Sequence, residues 1–250
     1  MDPRLCIVDK RLEGIGRLIA VSGGKGGVGK SLAAAVIALM LSKSYKVGLL
    51  DLDLSAPSTH VILGIEGEKL HFKEDKGIIP TNVHGLEFMS IVYFTGNNPS
   101  PLRGVDISNV ILELLATTRW GSLDFLIIHM PPGIGDAMMD IIRWMKRIEF
   151  VIMTNYSRIA LETVKKVIMI LKEFPIIGVI ENMKIKESVL VKEEMKCLGV
   201  PFLGDISFDN GIEEAIGNVD KLLKSNFAMD VEKYYIDLTF RTFKALRIIF

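Results

Sequence analysis

Gly24-Lys25-Gly26-Gly27-Val28-Gly29-Lys30-Ser31 follows an apolar run at residues 18–22 and opens an Ala- and Leu-rich stretch over residues 31–43. Its spacing is G-x-x-x-x-G-K-S/T. Glycines at these places let the main chain turn tightly, so that backbone N–H groups and the positive end of the following helix converge on one anion. Lys30 supplies a point charge to β- and γ-phosphates, and the Ser31 hydroxyl is the expected magnesium ligand. Because such a loop joins a strand to a helix, these residues predict an α/β fold that binds a nucleoside polyphosphate with magnesium.

Outward from the loop, short apolar runs alternate with segments whose apolar residues recur every three or four positions. Strands are expected near residues 18–22, 46–50, 86–92, 125–129, 150–154 and 176–180, and helices near 31–43, 105–118, 137–147 and 159–174. This order predicts a single domain over residues 1–250, a doubly wound, mostly parallel sheet flanked by helices. The stretch 64–85 is rich in charge and Gly and reads as a surface excursion with a small hairpin. Residues 219–250 read as one or two helices, with Phe240, Phe243 and Leu246 along one side. Ahead of the first strand, Leu5, Val8 and Leu12 lie at helical spacing. That stripe, within an N-terminal segment 1–16, suits a partner's groove or the domain's own surface.

Composition excludes several classes of function. The 250 residues are 49% hydrophobic, enough for a large core, and 30 basic residues balance 30 acidic ones. No global field would attract nucleic acid or an anionic bilayer. Cys6 and Cys197 lie far apart in sequence, which speaks against a disulfide framework and for a reducing, cytoplasmic setting. The longest apolar run, Leu32 to Leu41, is about half of the roughly 20 residues that a membrane-spanning helix needs.

Two acids follow the second expected strand, in Asp51-Leu52-Asp53-Leu54-Ser55-Ala56-Pro57-Ser58. Strand side chains alternate, so Asp51 and Asp53 share a face, and in a βαβ unit that face meets the phosphate loop. Magnesium and an attacking water require acids in that place.

The string K-G-G-V-G-K-S resembles the deviant Walker A motif of the Mrp/MinD/ParA ATPases. The resemblance implies a P-loop NTPase fold of the SIMIBI type and an ATP-dependent homodimer in which Lys25 reaches the partner's phosphates. The 51–58 segment is similar to the family's D-A-D-x-x-G-P-S switch motif. By position, Asp53 would orient the attacking water and Asp51 would hold the metal's water shell. Residues 124–136, Asp124 to Asp136, resemble the D-x-P-P-G-x-x-D region, except that His129 stands where an acid belongs. A neutral imidazole brings no negative charge to magnesium, which predicts weakened hydrolysis. Gly178-Val179-Ile180-Glu181-Asn182-Met183 is similar to G-V-V-E-N-M, implying that Asn182 reads the adenine edge. The segment Pro201-Phe202-Leu203-Gly204-Asp205-Ile206 resembles the one that packs around the same base.

Iron–sulfur carriers of the Mrp type usually place a C-x-x-C pair after E-N-M, where this chain has Ile185-Lys186-Glu187-Ser188. Cys197 alone follows, expected on the buried face of a helix. These residues argue against a bound iron–sulfur cluster, since a cluster normally takes four thiolates. Other stretches resemble the archaeal Mrp/MinD-type ATPase that serves nickel insertion during nickel–iron hydrogenase maturation: Arg11-Leu12-Glu13-Gly14, Pro101-Leu102-Arg103-Gly104, Thr117-Thr118-Arg119-Trp120 and the segment from Gly217 to Phe227. The expectation is therefore an ATP-driven switch in metallocentre assembly, with a nickel metallochaperone as partner. An iron–sulfur carrier is one alternative. A MinD-like membrane-associated ATPase is the other, its basis the basic, apolar stretch from Phe240 to Phe250.

Overall fold

A computed structural model describes residues 2–65, 72–96 and 104–240. In chain order the first elements are α1 (Arg4–Leu12), β1 (Ile15–Gly23), α2 (Lys30–Leu41), β2 (Val47–Asp51) and the short α3 (Thr59–Ile62). Next come β3 (Lys73–Glu74), β4 (Ile78–Ile79), β5 (Thr81–Val83), β6 (Leu86–Ser90), α4 (Val92–Thr95), α5 (Gly104–Thr117) and β7 (Leu123–His129). The chain continues with α6 (Asp136–Trp144), β8 (Ile148–Asn155), α7 (Arg158–Ile170), β9 (Ile176–Lys184), α8 (Leu190–Cys197) and β10 (Phe202–Ser207). Four short helices close the described part: α9 (Ile212–Ala215), α10 (Val219–Leu222), α11 (Asn226–Glu232) and α12 (Tyr235–Phe240).

Eight strands form one sheet in the order β10-β9-β8-β1-β7-β2-β6-β5, parallel except for the β5–β6 edge pair. The connection after β1 runs one way along the sheet, through α2 to β2. The connection after β8 runs the other way, through α7 to β9. Right-handed crossovers therefore put α2 on one face and α5, α6, α7 and α8 on the other; contacts of α5 with α6 and of α2 with α11 agree. The chain reverses direction beside β1, and at such a switch point α/β sheets bind ligands past the strands' carboxyl ends. The phosphate loop sits there.

The expected doubly wound architecture is what the chain adopts, and all six expected strands are present. The run from Ala33 to Leu41 is buried along its whole length, so α2 is a core helix covered all round. α7 stops at Ile170 rather than 174 because Pro175, which begins the approach to β9, cannot continue a helix. The excursion holds the β3–β4 hairpin. Val8 and Leu12 of α1 are buried and the helix packs on α5, so the N-terminal stripe faces the domain's own core. Phe243 and Leu246, with the rest of residues 241–250, lie outside the described residues, as do Pro101, Leu102 and Arg103.

Candidate nucleotide site

The loop between β1 and α2 has the backbone its glycines permit. Gly27 and Gly29 have φ of 74° and 89°, a region that side chains disfavour. Chain neighbours aside, no described atom lies within 4 Å of where a Cβ on Gly26 or Gly27 would project, so the space beside the loop is open there. At Gly29 the space is taken instead: a Cβ there would collide with the Asn182 amide. Lys30 begins α2 and is 5% exposed. Its ammonium makes one hydrogen bond among the described residues, donating from Nζ to the Lys25 carbonyl at 3.3 Å. Burial pushes the ammonium below the ordinary lysine range, with Asp53 pulling the other way. A buried cation facing an open cradle of amides is poised for an anion. Lys25 is half-buried at the rim.

Ser31, Asp51, Asp53 and His129 converge beside this cradle. β7 lies next to β2 with Asp51 and His129 in register, which sets their side chains on one face. His129 Nδ1 lies 2.8 Å from Asp51 Oδ1, and its Nε2 lies 3.0 Å from Ser31 Oγ. Asp51 is fully buried. Its Oδ1 also accepts the Asp53 N–H at 3.0 Å, and its Oδ2 accepts the Thr59 hydroxyl at 2.6 Å and the Thr59 N–H at 3.3 Å. Burial opposes ionisation of Asp51, but the bonds from His129, Thr59 and the Asp53 amide outweigh it and hold the carboxyl below its usual range. Both Asp51 oxygens are thus engaged by protein donors, and Asp51 reaches Ser31 through His129. Asp53 Oδ1 accepts the Ala56 N–H at 3.2 Å, closing the turn after β2. The site's hard oxygen donors, the Ser31 hydroxyl and the Asp53 carboxylate, suit magnesium, which keeps several waters and takes few protein ligands.

Asn182 ends up against the loop itself. Its Nδ2 donates to the Val28 carbonyl at 3.0 Å and its Oδ1 accepts the Met183 N–H at 2.8 Å, with Met183 at φ 58°. Pro201 is a correction. It precedes β10 at that strand's amino end, whereas the phosphate loop lies past the carboxyl ends. Phe202 pairs with Val179, while Asn182 lies between the rows Asp205↔Glu181 and Ser207↔Lys184. Pro201 is therefore about 13 Å along the strand from the level of Asn182. Phe208, half exposed just after β10, lies beyond that level, its N–H donating to the Lys184 carbonyl at 3.0 Å, and no motif pointed to it.

Cys197 is exposed, not buried. α8 buries Val191 and Met195, and the residue two further on faces the opposite side of a helix. Cys6, on α1, is exposed as well.

The ParA profile described as NUBPL iron-transfer P-loop NTPase matches residues 14–242. The chain belongs to the ParA family of P-loop NTPases. A protein of Aquifex aeolicus named iron-sulfur cluster carrier protein is 34% identical over 246 residues, 92% of this chain and 68% of the relative. One of the same name from Pseudomonas fragi is 37% identical over 70% of this chain, and the match spans 62% of that protein. Among solved structures, a nucleotide-binding protein of Archaeoglobus fulgidus in complex with ADP, in which cobalt was found, superposes with a TM-score of 0.71. It is 27% identical, covering 96% of this chain and 98% of that one.

These relatives overturn the nickel assignment and its metallochaperone partner. Two of the stretches behind it have structural work in this ParA-family chain. Arg11 donates from Nε to the Ala116 carbonyl at 3.0 Å and from a terminal nitrogen to the Lys76 carbonyl at 2.7 Å, and Arg119 pairs with Asp75. Together they brace the β3–β4 hairpin against α1 and α5. Among the described residues no helix is long and apolar enough to cross a membrane.

Proposed function

We propose that this chain is an ATP-binding and ATP-hydrolysing switch that dimerises around nucleotide and serves iron–sulfur cluster assembly. The observation that carries the nucleotide part is the buried Lys30, whose ammonium makes one hydrogen bond among the described residues, to the Lys25 carbonyl, in a loop with open space at Gly26 and Gly27. In this reading the loop amides and Lys30 neutralise the β- and γ-phosphates. Ser31 holds magnesium, Asp53 orients the attacking water, and Lys25 of a second copy adds charge where it develops in the transition state. Magnesium supplies Lewis-acid charge to the phosphate oxygens. Asn182 keeps the loop in shape and offers the rest of its amide to the base.

The iron–sulfur part is supported by the names of the relatives. The cluster is cargo, and the described residues form no site for it within one chain. Cys6 and Cys197 stand alone on separate helices, and among the described residues no three His, Cys, Asp or Glu side chains group as metal ligands. The chain thus provides the nucleotide-driven step, and the cluster's ligands come in part from elsewhere.

Loss of the gene from its host should lower iron–sulfur occupancy of cellular enzymes, with rescue by the wild-type chain and none by Lys30→Ala. Unchanged occupancy would overturn the assignment to cluster assembly. For the switch, molar mass in solution should rise from monomer to dimer with a nonhydrolysable ATP analogue and magnesium; a mass indifferent to nucleotide would contradict it.

A further inference from the structure

His129 stands where the related motif has an acid, and the structure shows what replaces that acid. A serine hydroxyl has one proton and two lone pairs. To ligate a cation through Oγ, Ser31 must send its proton away from the metal to some acceptor. His129 Nε2, at 3.0 Å, is the side-chain partner that Ser31 Oγ has among the described residues. Whether Nε2 accepts or donates is set at the other ring nitrogen. There Asp51 Oδ1, at 2.8 Å, is an acceptor, so a ring proton belongs on Nδ1, and in the neutral ring Nε2 keeps its lone pair. Asp51 cannot turn away. It is fully buried and fixed by the Thr59 hydroxyl, the Thr59 amide and the Asp53 amide.

We propose that His129 is a positioning residue. As the Nδ1–H tautomer fixed by Asp51, it accepts the Ser31 hydroxyl proton at Nε2, leaving the Ser31 oxygen's lone pairs for the magnesium of a bound nucleotide. The role rests on the proposed nucleotide site and deepens it. Asp51 acts at one remove, its charge carried to Ser31 by a polarised imidazole. The same carboxylate holds the amide of Asp53, so the metal ligand and the water-orienting residue hang from one buried acid. Such outer partners of a metal ligand typically govern about 10- to 100-fold in metal affinity.

Two substitutions separate the ends of the ring. His129→Asn keeps an amide near the place of Nδ1 and drops the acceptor at Ser31. His129→Gln puts an amide near the place of Nε2, where its carbonyl can accept the Ser31 proton. Magnesium affinity is read by titrating the metal into ADP-saturated protein, with ADP affinity in EDTA as the control. The expected result is a loss of about tenfold or more in magnesium affinity for His129→Asn, with recovery of most of it in His129→Gln. Equal magnesium affinity in wild type and His129→Asn overturns the proposal while leaving the nucleotide site intact. Failure of wild-type protein to bind ADP with magnesium as well as in EDTA overturns the nucleotide site itself. A reading independent of the variants is the nitrogen NMR spectrum of 15N-histidine-labelled wild type. His129 should show a protonated Nδ1 and a bare Nε2 in the apo and MgADP states, and a proton on Nε2 would refute the proposal even if neither variant folds.

Discussion

His129 Nδ1 lies 2.8 Å from Asp51 Oδ1, in a place where both side chains are buried. By the motif alone, an acid at 129 is expected to raise magnesium-dependent hydrolysis, because it returns the charge that a neutral imidazole lacks. The pair reverses that expectation. His129→Asp would set a second carboxylate against Asp51 in a dry site, and two such groups cannot both ionise there. The variant should lose about 2 to 5 kcal/mol of stability in a denaturant titration and show no gain in turnover. A stable variant with faster hydrolysis would show that Asp51 is not committed to the ring.

Much of this site was legible beforehand, and the pattern of what was not is physical. Lys30, Ser31, Asp51 and Asp53 belong to local motifs, where spacing along one strand or loop fixes which atoms meet. The ring contact of His129 depends on β7 lying beside β2 in one register, a pairing between residues 78 positions apart. Pro201 failed for a related reason: a motif gives neighbours in sequence but not which end of a strand they occupy. β5 and β10 went unseen because they are edge strands. β10 is half-buried along most of its length and pairs with register shifts, so it lacks the alternation that marks a strand. By contrast, α2 declared itself through an unbroken Ala-rich apolar run.

Lys30→Ala removes the buried ammonium from the cradle. Charge-assisted hydrogen bonds are worth roughly 1.5 to 3 kcal/mol each, so ADP affinity by calorimetry should fall about 10- to 100-fold with the fold unchanged by circular dichroism. Unaltered affinity would remove Lys30 from the site.

Asp53→Ala is expected to separate binding from turnover. Asp53 orients water rather than phosphate in the proposed mechanism, so nucleotide affinity should stay within about threefold while hydrolysis falls about a hundredfold or more. Equal losses in both would place Asp53 in ground-state binding.

Glu181 gives a pH prediction. It is 1% exposed, its Oε1 has no hydrogen-bond partner among the described residues, and burial raises its carboxyl above the ordinary range, with Lys184 opposing. The folded state then holds this proton to higher pH than the unfolded chain does. Stability therefore falls as pH rises from the unfolded value, about 4.3, to the folded one. Glu181→Gln carries no such charge. Its melting temperature should match wild type near pH 4 and exceed it at pH 7; a constant difference across that range would mean that the carboxyl is not desolvated.

The most direct test of the nucleotide site is a calorimetric titration of the wild-type chain with MgADP, followed by a crystal soaked in the same ligand. One ADP per chain should bind, with its phosphates on the amides of residues 26–31 and against Lys30. Saturating MgADP that gives no heat, and leaves only solvent density in that cradle, would contradict the account.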